Sequence, residues 1–147
     1  MVYIIAGATG VVGSAISKEL AKEYEVHLIG RDEDKLSTLS KEIDAHYSLI
    51  DLNNTIEQRE FSKIIPDDKE IKGLVNCIGS ILIKPLHGTK TEEFEEVLRV
   101  NLFSSYYLLS SFARRMKNGS AIFFSSIAGT KGLSNHEAIA AAKAGLE

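Results

Sequence analysis

The sequence predicts an α/β fold, a doubly wound parallel sheet with the strand order 3-2-1-4-5. Short apolar segments rich in β-branched residues alternate with longer segments whose apolar residues recur at helical spacing. A glycine-rich turn lies directly between the first apolar segment and the first helical one. Strands that alternate with helices form parallel sheets with right-handed crossovers. Since no linker or repeat divides the chain, we expect a single domain over residues 1–147.

The composition argues against several classes of protein. The chain has 17 Lys and Arg against 20 Asp and Glu, so no basic excess favours nucleic acid or an anionic membrane. No apolar run approaches the roughly 18 residues that span a bilayer. The single cysteine, Cys77, cannot form an intrachain disulfide, which fits a reducing compartment. We therefore expect a cytoplasmic protein with neither nucleic acid nor membrane as a partner, and no metal-ligand cluster stands out.

The first half of the chain contains three predicted strands. In the first helical segment, Val12, Ile16 and Leu20 recur at a spacing that places them on one helix face. The strands are predicted at residues 2–6, 25–29 and 45–50, and the helices at residues 11–24, 32–43 and 55–65.

The second half continues the alternation. A loop over residues 81–90 precedes a long helix, which begins at Thr91 in a capping-box pattern with the glutamates that follow. Ser134 or Asn135 is predicted to cap a last helix that runs to the end of the sequence. The remaining elements are predicted strands at residues 72–77 and 120–125, and a helix, either separate or continuous with the first, at residues 101–117.

The segment GATGVVG, between the first strand and the first helix, is typical of a dinucleotide-binding turn. Gly7 allows a tight turn, Gly10 lets the backbone approach a pyrophosphate, and Gly13 lets the helix pack closely on the sheet. The helix N-terminus then offers N–H groups to the phosphates. We expect Thr9 and Val12 to belong to the same site. A purely structural turn and a methyltransferase glycine loop are the alternatives.

The end of the second strand, LIGRDEDKL, bears on the choice of cofactor. Gly30 occupies the position where an acidic residue would bind the adenosine ribose of NAD(H), and Arg31 follows it. A guanidinium there can pair with the 2′-phosphate of NADP(H). The sequence therefore favours NADP(H) over NAD(H). Two alternatives stay open: Arg31 is simply solvated, or a register shift of two residues makes Asp32 the ribose-binding acid.

Taken in order, these segments resemble the short-chain dehydrogenase/reductase family, whose members have a Rossmann fold. The resemblance implies that Asp51 and Leu52 touch the adenine and that Asn76, Ile78 and Gly79 lie beside the cofactor. Besides the glycine turn, the matching segments are Asp51-Leu52 after strand three, NCIG at residues 76–79, Val100-Asn101 in the long helix, SSIAG after strand five and Lys143 in the last helix.

The resemblance also implies an oxidoreductase that transfers hydride between nicotinamide and a carbonyl or alcohol substrate, as a homodimer or homotetramer. In the family's catalytic set, Ser126 positions the carbonyl, Lys143 holds the nicotinamide ribose and lowers the pKa of a tyrosine, and Asn101 supports them. That tyrosine position is occupied by Ile139, which cannot exchange a proton. His136 is a weaker candidate for the acid/base role. A non-catalytic dinucleotide-binding protein, or an inactive fragment of a longer enzyme, is therefore the alternative function.

The fifth predicted strand suggests that the sheet is larger than this sequence provides. Its segment AIFF is apolar on both faces, as in a strand that is covered on both sides. The order 3-2-1-4-5 instead places it at an edge, where an apolar strand invites aggregation. We therefore expect the sequence to belong to a longer chain whose last strands are absent here.

Overall fold

A computed structural model describes residues 1–52 and 61–147, and its centre is a five-stranded sheet. All four neighbouring strand pairs are parallel, and their order is 3-2-1-4-5, which confirms the predicted fold class. The observed strand ends lie within two residues of the predicted ones. The strands are β1 (Val2–Ala6), β2 (Glu25–Gly30), β3 (His46–Leu49), β4 (Ile71–Asn76) and β5 (Ser120–Phe123).

The α-helices of the described residues connect the strands and follow the last one. They are α1 (Val11–Leu20), α2 (Glu33–Ile43), α3 (Thr91–Leu98), α4 (Ser104–Phe112), α5 (Ile127–Thr130) and α6 (Glu137–Leu146). A π-helical turn, Arg99–Phe103, joins α3 directly to α4. No helix within residues 1–52 and 61–147 is long and apolar enough to cross a membrane.

Two helices of the first half differ from the prediction. The helix predicted at residues 11–24 ends at Leu20, because the next residues form turns that lead into β2. Of the helix predicted at residues 55–65, residues 55–60 lie outside the described residues. Its last part is a short 3-10 turn, Ser62–Ile64, rather than an α-helix.

Three features of the second half also differ from the prediction. The helix predicted at residues 101–117 begins within the π turn, and its regular part ends at Phe112. The short helix α5 was not predicted. The N-cap of α6 is His136, not Ser134 or Asn135. The reason is that Asn135 adopts a left-handed backbone conformation (φ 63°), so the helical path begins after it.

Local hydrogen bonds explain where α2 and α3 begin. The Asp32 carboxylate accepts from the backbone N–H of Lys35 (3.1 Å), which satisfies one of the free donors at the start of α2. At α3, the backbone N–H of Lys90 donates to the Glu93 carboxylate (2.9 Å). The capping interaction therefore forms around Lys90, one residue before the expected Thr91.

Apolar side chains cover both faces of the sheet. Ile4 and Ile5 are both fully buried, yet they belong to different clusters because successive strand residues point to opposite faces. On one face, Ile4 packs in a cluster with Phe61 and Phe112, whose rings lie 5.1 Å apart. On the other face, Ile5 shares a cluster with Leu36 of α2. This two-sided burial is typical of parallel sheets.

The strand β5 forms an edge of the described sheet and is poorly covered there. Ile122 is 52% exposed, and Phe124, just beyond the strand, is 42% exposed. The two-sided apolar pattern of this segment is therefore not matched by two-sided burial within the described residues.

The strand β2 contains a buried titratable side chain, His27, which is paired with Ser48 of β3. His27 is only 7% exposed, and its Nε2 lies 2.8 Å from Ser48 Oγ. Burial, together with the nearby charge of His46, lowers the pKa of His27 from 6.5 to about 4. The folded protein therefore holds this imidazole in its neutral form.

We expect stability to fall as the pH drops from 6.5 to about 4, because in this range the unfolded chain binds a proton at His27 and the folded chain does not. At about 1.4 kcal/mol per pKa unit, the loss reaches about 3 kcal/mol. Urea unfolding at pH 7.5 and at pH 4.5 measures it. His27→Gln keeps a partner for Ser48 but does not titrate. An equal pH dependence in this variant would contradict the prediction.

Candidate cofactor cleft and active site

The turn after β1 depends on glycine at its first position. Gly7 has a positive φ of 71°, and its N–H donates to the Ile29 carbonyl (2.9 Å), as does that of Ala8 (3.1 Å). A Cβ on Gly7 would lie 2.9 Å from the backbone of both Cys77 and Ile78. The turn is therefore pressed against the segment that follows β4, and any side chain at Gly7 would separate the two.

The helix α1 packs directly on this turn. A Cβ on Gly13 would lie 2.2 Å from the Gly7 carbonyl oxygen, which is closer than any real contact. Gly10 is the N-cap of α1, and its N–H donates to the same oxygen (3.1 Å). The first N–H groups of the helix have no intrahelical acceptor. The start of α1 thus provides the anion-binding geometry that the GATGVVG segment predicts.

A cleft of about 360 Å³ opens at the carboxyl ends of the strands, beside the glycine turn. Ligands of parallel α/β sheets bind in this position, where the strand order reverses. The cleft brings together eight of the predicted cofactor residues, namely Gly7, Thr9, Gly10, Arg31, Asp51, Leu52, Ile78 and Gly79.

The remaining predicted cofactor residues do not line this cleft. Gly13 and Asn76 lie behind the cleft and hold the segments that line it. Val12 is 49% exposed on α1. Lys143 is a residue of α6, and its ammonium lies at the end of β5. Glu96 and Val100, which were not predicted to bind the cofactor, also line the cleft. Their spacing of four residues, which places them on one face of the long helix, was the available signal.

The end of β2 holds the residues that bear on cofactor choice. Arg31 is exposed and lines the cleft. Asp32 is occupied elsewhere, because its carboxylate caps α2 and pairs with the Lys35 ammonium (2.9 Å), which keeps the pKa of Asp32 low. A Cβ on the buried Gly30 would already touch Leu36 at 3.4 Å. The alternative in which Asp32 binds a ribose would therefore require it to leave the cap.

The predicted catalytic asparagine has its side chain committed within the protein. Asn101 is 1% exposed, and its Oδ1 accepts from the backbone N–H of Ser80 (3.2 Å). Its Nδ2 donates to Ser80 Oγ (3.2 Å) and to the Val97 carbonyl (3.0 Å). Both amide hydrogens are used in this way. The side chain therefore fixes the π turn to the wall of the cleft and supports the site indirectly.

Ser126 and the ammonium of Lys143 both lie at the segment that follows β5. Ser126 is the N-cap of α5, and its Oγ accepts from the Ala128 N–H (3.2 Å). Lys143 is 8% exposed, and its Nζ donates to the carbonyl of Phe124 (2.7 Å). Burial lowers the pKa of this ammonium. The two predicted catalytic residues are thus held by the same strand end.

The position four residues before Lys143 is occupied by a buried aliphatic side chain. Ile139 is 4% exposed and packs in a cluster with Val97 and Ala128, which joins α6 to α3 and α5. One turn earlier, His136 Nδ1 lies 2.8 Å from the Ser134 carbonyl. Since a carbonyl only accepts, Nδ1 must carry the hydrogen, which leaves Nε2 as the acceptor in the neutral ring.

The fold and the cleft define a Rossmann-type protein, and the comparison with known families identifies the family to which it belongs. The family model described as short chain dehydrogenase matches residues 1–147. The chain belongs to the short-chain dehydrogenase/reductase family, a family that binds nicotinamide cofactors.

Individual relatives agree with this assignment. Over 147 residues the chain is 29% identical to the 3-oxoacyl-[acyl-carrier-protein] reductase FabG of Rickettsia bellii, covering 97% of this chain and 61% of that protein. It is 27% identical over 158 residues to the 3-ketodihydrosphingosine reductase of Bos taurus, covering 97% and 48%. A metagenomic short-chain oxidoreductase solved in complex with NADP superposes with a TM-score of 0.91 at 31% identity, covering 99% and 71%. The chain thus spans about half to three fifths of these curated relatives.

The contact at Gly7 predicts a strong effect of a single methyl group. We expect Gly7→Ala to reduce stability by about 1–3 kcal/mol, because it strains a positive φ and pushes against the backbone after β4. Gly132→Ala is the matched control, since a Cβ there meets nothing within 4 Å. Urea unfolding of the two variants measures the difference. Equal stability in both would show that the close approach is not a constraint.

Proposed function

We propose that the protein is an NADP(H)-dependent oxidoreductase that transfers hydride between nicotinamide and a carbonyl or alcohol. The observation that carries this proposal is the cleft in which the glycine turn, Arg31 and the segment after β4 meet. Membership of the family supports it, as does the NADP bound to a solved relative.

The preference for NADP(H) rests on charge. Arg31 is the cationic side chain at the end of β2 that lines the cleft, and a guanidinium can bind a phosphate with two hydrogen bonds. Asp32, the residue that would favour NAD(H), is engaged by Lys35. A 2′-phosphate would therefore gain an ion pair with Arg31, whereas the two hydroxyls of an unphosphorylated ribose would not find the Asp32 carboxylate available.

In this proposal the bound nicotinamide supplies or accepts the hydride. Lys143 presents its ammonium at the end of β5, where it would hold the nicotinamide ribose. Ser126 accepts a hydrogen bond from Ala128, so its own hydroxyl hydrogen is available to a substrate carbonyl. Ser126 would thus orient the substrate, and Lys143 would orient the cofactor. Asn101 would act behind them by holding Ser80.

We propose a 3-oxo compound as the substrate class, since both curated relatives, a 3-oxoacyl-[acyl-carrier-protein] reductase and a 3-ketodihydrosphingosine reductase, are named for a ketone at carbon 3. We also propose that the protein works as a homodimer or homotetramer. The exposed aromatic side chains of α4 and the π turn, Phe103 (41%) and Tyr106 (64%), offer a surface to a second copy.

A non-catalytic dinucleotide-binding role is the second candidate, and Ile139 is the observation that favours it. A buried isoleucine can neither donate nor accept a proton. Catalysis then requires another acid, and His136, the N-cap of α6 three residues before Ile139, carries an imidazole that can exchange a proton near neutral pH.

We expect the protein to bind NADPH more tightly than NADH, and Arg31→Ala to remove most of that preference. Loss of a charge-assisted phosphate contact corresponds to about 1.5–3 kcal/mol, or roughly ten- to a hundredfold in affinity. Calorimetric titration with both cofactors measures it. Arg114→Ala, which removes an exposed arginine outside the cleft, is the control. Equal affinity of the wild type for the two cofactors would rule out the assignment to Arg31.

We expect Ile139→Tyr to raise the turnover of acetoacetyl-thioester reduction by at least about a hundredfold, the lower range of general acid catalysis. The phenol would stand one helical turn from the Lys143 ammonium, which favours its ionisation. His136→Ala in the wild-type background separates the two candidate functions. Activity that disappears in this variant identifies a substitute acid. If the tyrosine brings no gain and the wild type is inactive, the non-catalytic role is favoured.

A further inference from the structure

Two adjacent serines lie buried at the start of α4. Ser104 is fully buried and Ser105 is 4% exposed. Serine is a poor residue for the interior of a helix, and a buried hydroxyl is costly unless it is hydrogen-bonded. The burial of both residues therefore raises the question of what their hydroxyl groups hold.

The two hydroxyls converge on one side chain at the end of β4. Asn76 is 3% exposed, and its Nδ2 donates to Ser104 Oγ (3.0 Å) and to Ser105 Oγ (2.8 Å). Its Oδ1 accepts from the backbone N–H of Ile78 (3.0 Å). Ser104 Oγ in turn donates to the Val100 carbonyl in the π turn (2.7 Å). Because Oδ1 takes an N–H, the orientation of the amide is unambiguous, and both of its hydrogens are used.

This network bears directly on the cleft. The amide of Asn76 holds the backbone of Ile78, which lines the cleft and is the segment that approaches Gly7. If Asn76 turned, the peptide of Ile78 would lose its acceptor and could shift toward the glycine turn. At the other end of the segment, Asn101 holds Ser80. Through Asn76, the two serines thus hold the beginning of the segment that follows β4, whereas Asn101 holds its end at Ser80.

We propose that Ser104 and Ser105 are positioning residues for the cofactor, which act through Asn76 to hold residues 77–79 in the conformation that the dinucleotide requires. This inference rests on the proposed function, since it assumes that the cleft binds a nicotinamide dinucleotide. Neither serine touches the cleft. The effect of Ser105 on binding is therefore transmitted by the amide and by the Ile78 peptide, whereas Ser104 also holds the carbonyl of Val100, which lines the cleft.

A double-mutant cycle on NADPH affinity tests the proposal. We expect Ser105→Ala to weaken binding by about tenfold, because it leaves a buried amide hydrogen without an acceptor. The same substitution should have no further effect in an Asn76→Ala background. Ser111→Ala is the matched control, since Ser111 lies on the same helix and donates only to the Tyr107 carbonyl (2.8 Å). Independent, additive effects of Ser105→Ala and Asn76→Ala would overturn the proposal.

Hydrogen exchange of the Ile78 amide in the cofactor-free protein provides a second readout. It should be faster in Ser104→Ala and Ser105→Ala, but unchanged in Ser111→Ala. Unchanged exchange in the first two variants, with normal cofactor binding by the wild type, would overturn the positioning role alone. A wild-type protein that binds neither NADPH nor NADH would instead overturn the proposed function, and the cofactor role of the serine pair with it.

Discussion

The close approach of two backbone segments, at Gly7 after β1 and at Cys77–Ile78 after β4, is the constraint on which the site depends. Because β1 and β4 are parallel neighbours, both segments leave the sheet at the same edge. The absence of a side chain at Gly7 lets them meet, and the cleft opens beside the contact. The packing of α1 at Gly13 and the hydrogen bonds of Asn76 keep the two segments in place. The interaction is steric and local, yet it sets the shape of the whole cleft wall.

Residues adjacent in sequence predicted much of this arrangement. The alternation of strands and helices predicted a parallel sheet, and the glycine pattern located the turn, because both are visible as spacings along the chain. The committed amides of Asn76 and Asn101 were not predictable in this way. Their serine partners, Ser104 and Ser105 for Asn76 and Ser80 for Asn101, lie 21 to 29 residues away and become neighbours only in the folded chain. The packing of β5 was not predictable for the same reason: its apolar pattern shows that both faces can be buried, but the residues that would cover them are not its neighbours in sequence.

The site combines a well-formed binding half with an altered chemical half. The residues that shape the cleft agree with a dinucleotide, whereas the helix that carries Lys143 presents buried Ile139 in place of a proton donor. These halves are physically separable. In the proposed function, cofactor binding depends on backbone geometry and on Arg31, while proton transfer requires one titratable side chain at the right distance from the substrate. A change at Ile139 can therefore alter the reaction without disturbing the cleft.

The most direct test of this account is to map NADP⁺ binding by amide chemical-shift changes on the isotopically labelled protein. The account predicts that the largest changes cluster at the glycine turn (residues 7–13), at Arg31 and at residues 77–80, with little change at the exposed edge of β5. The absence of saturable changes, or a cluster centred on β5, would contradict the central claim that this cleft is the dinucleotide site.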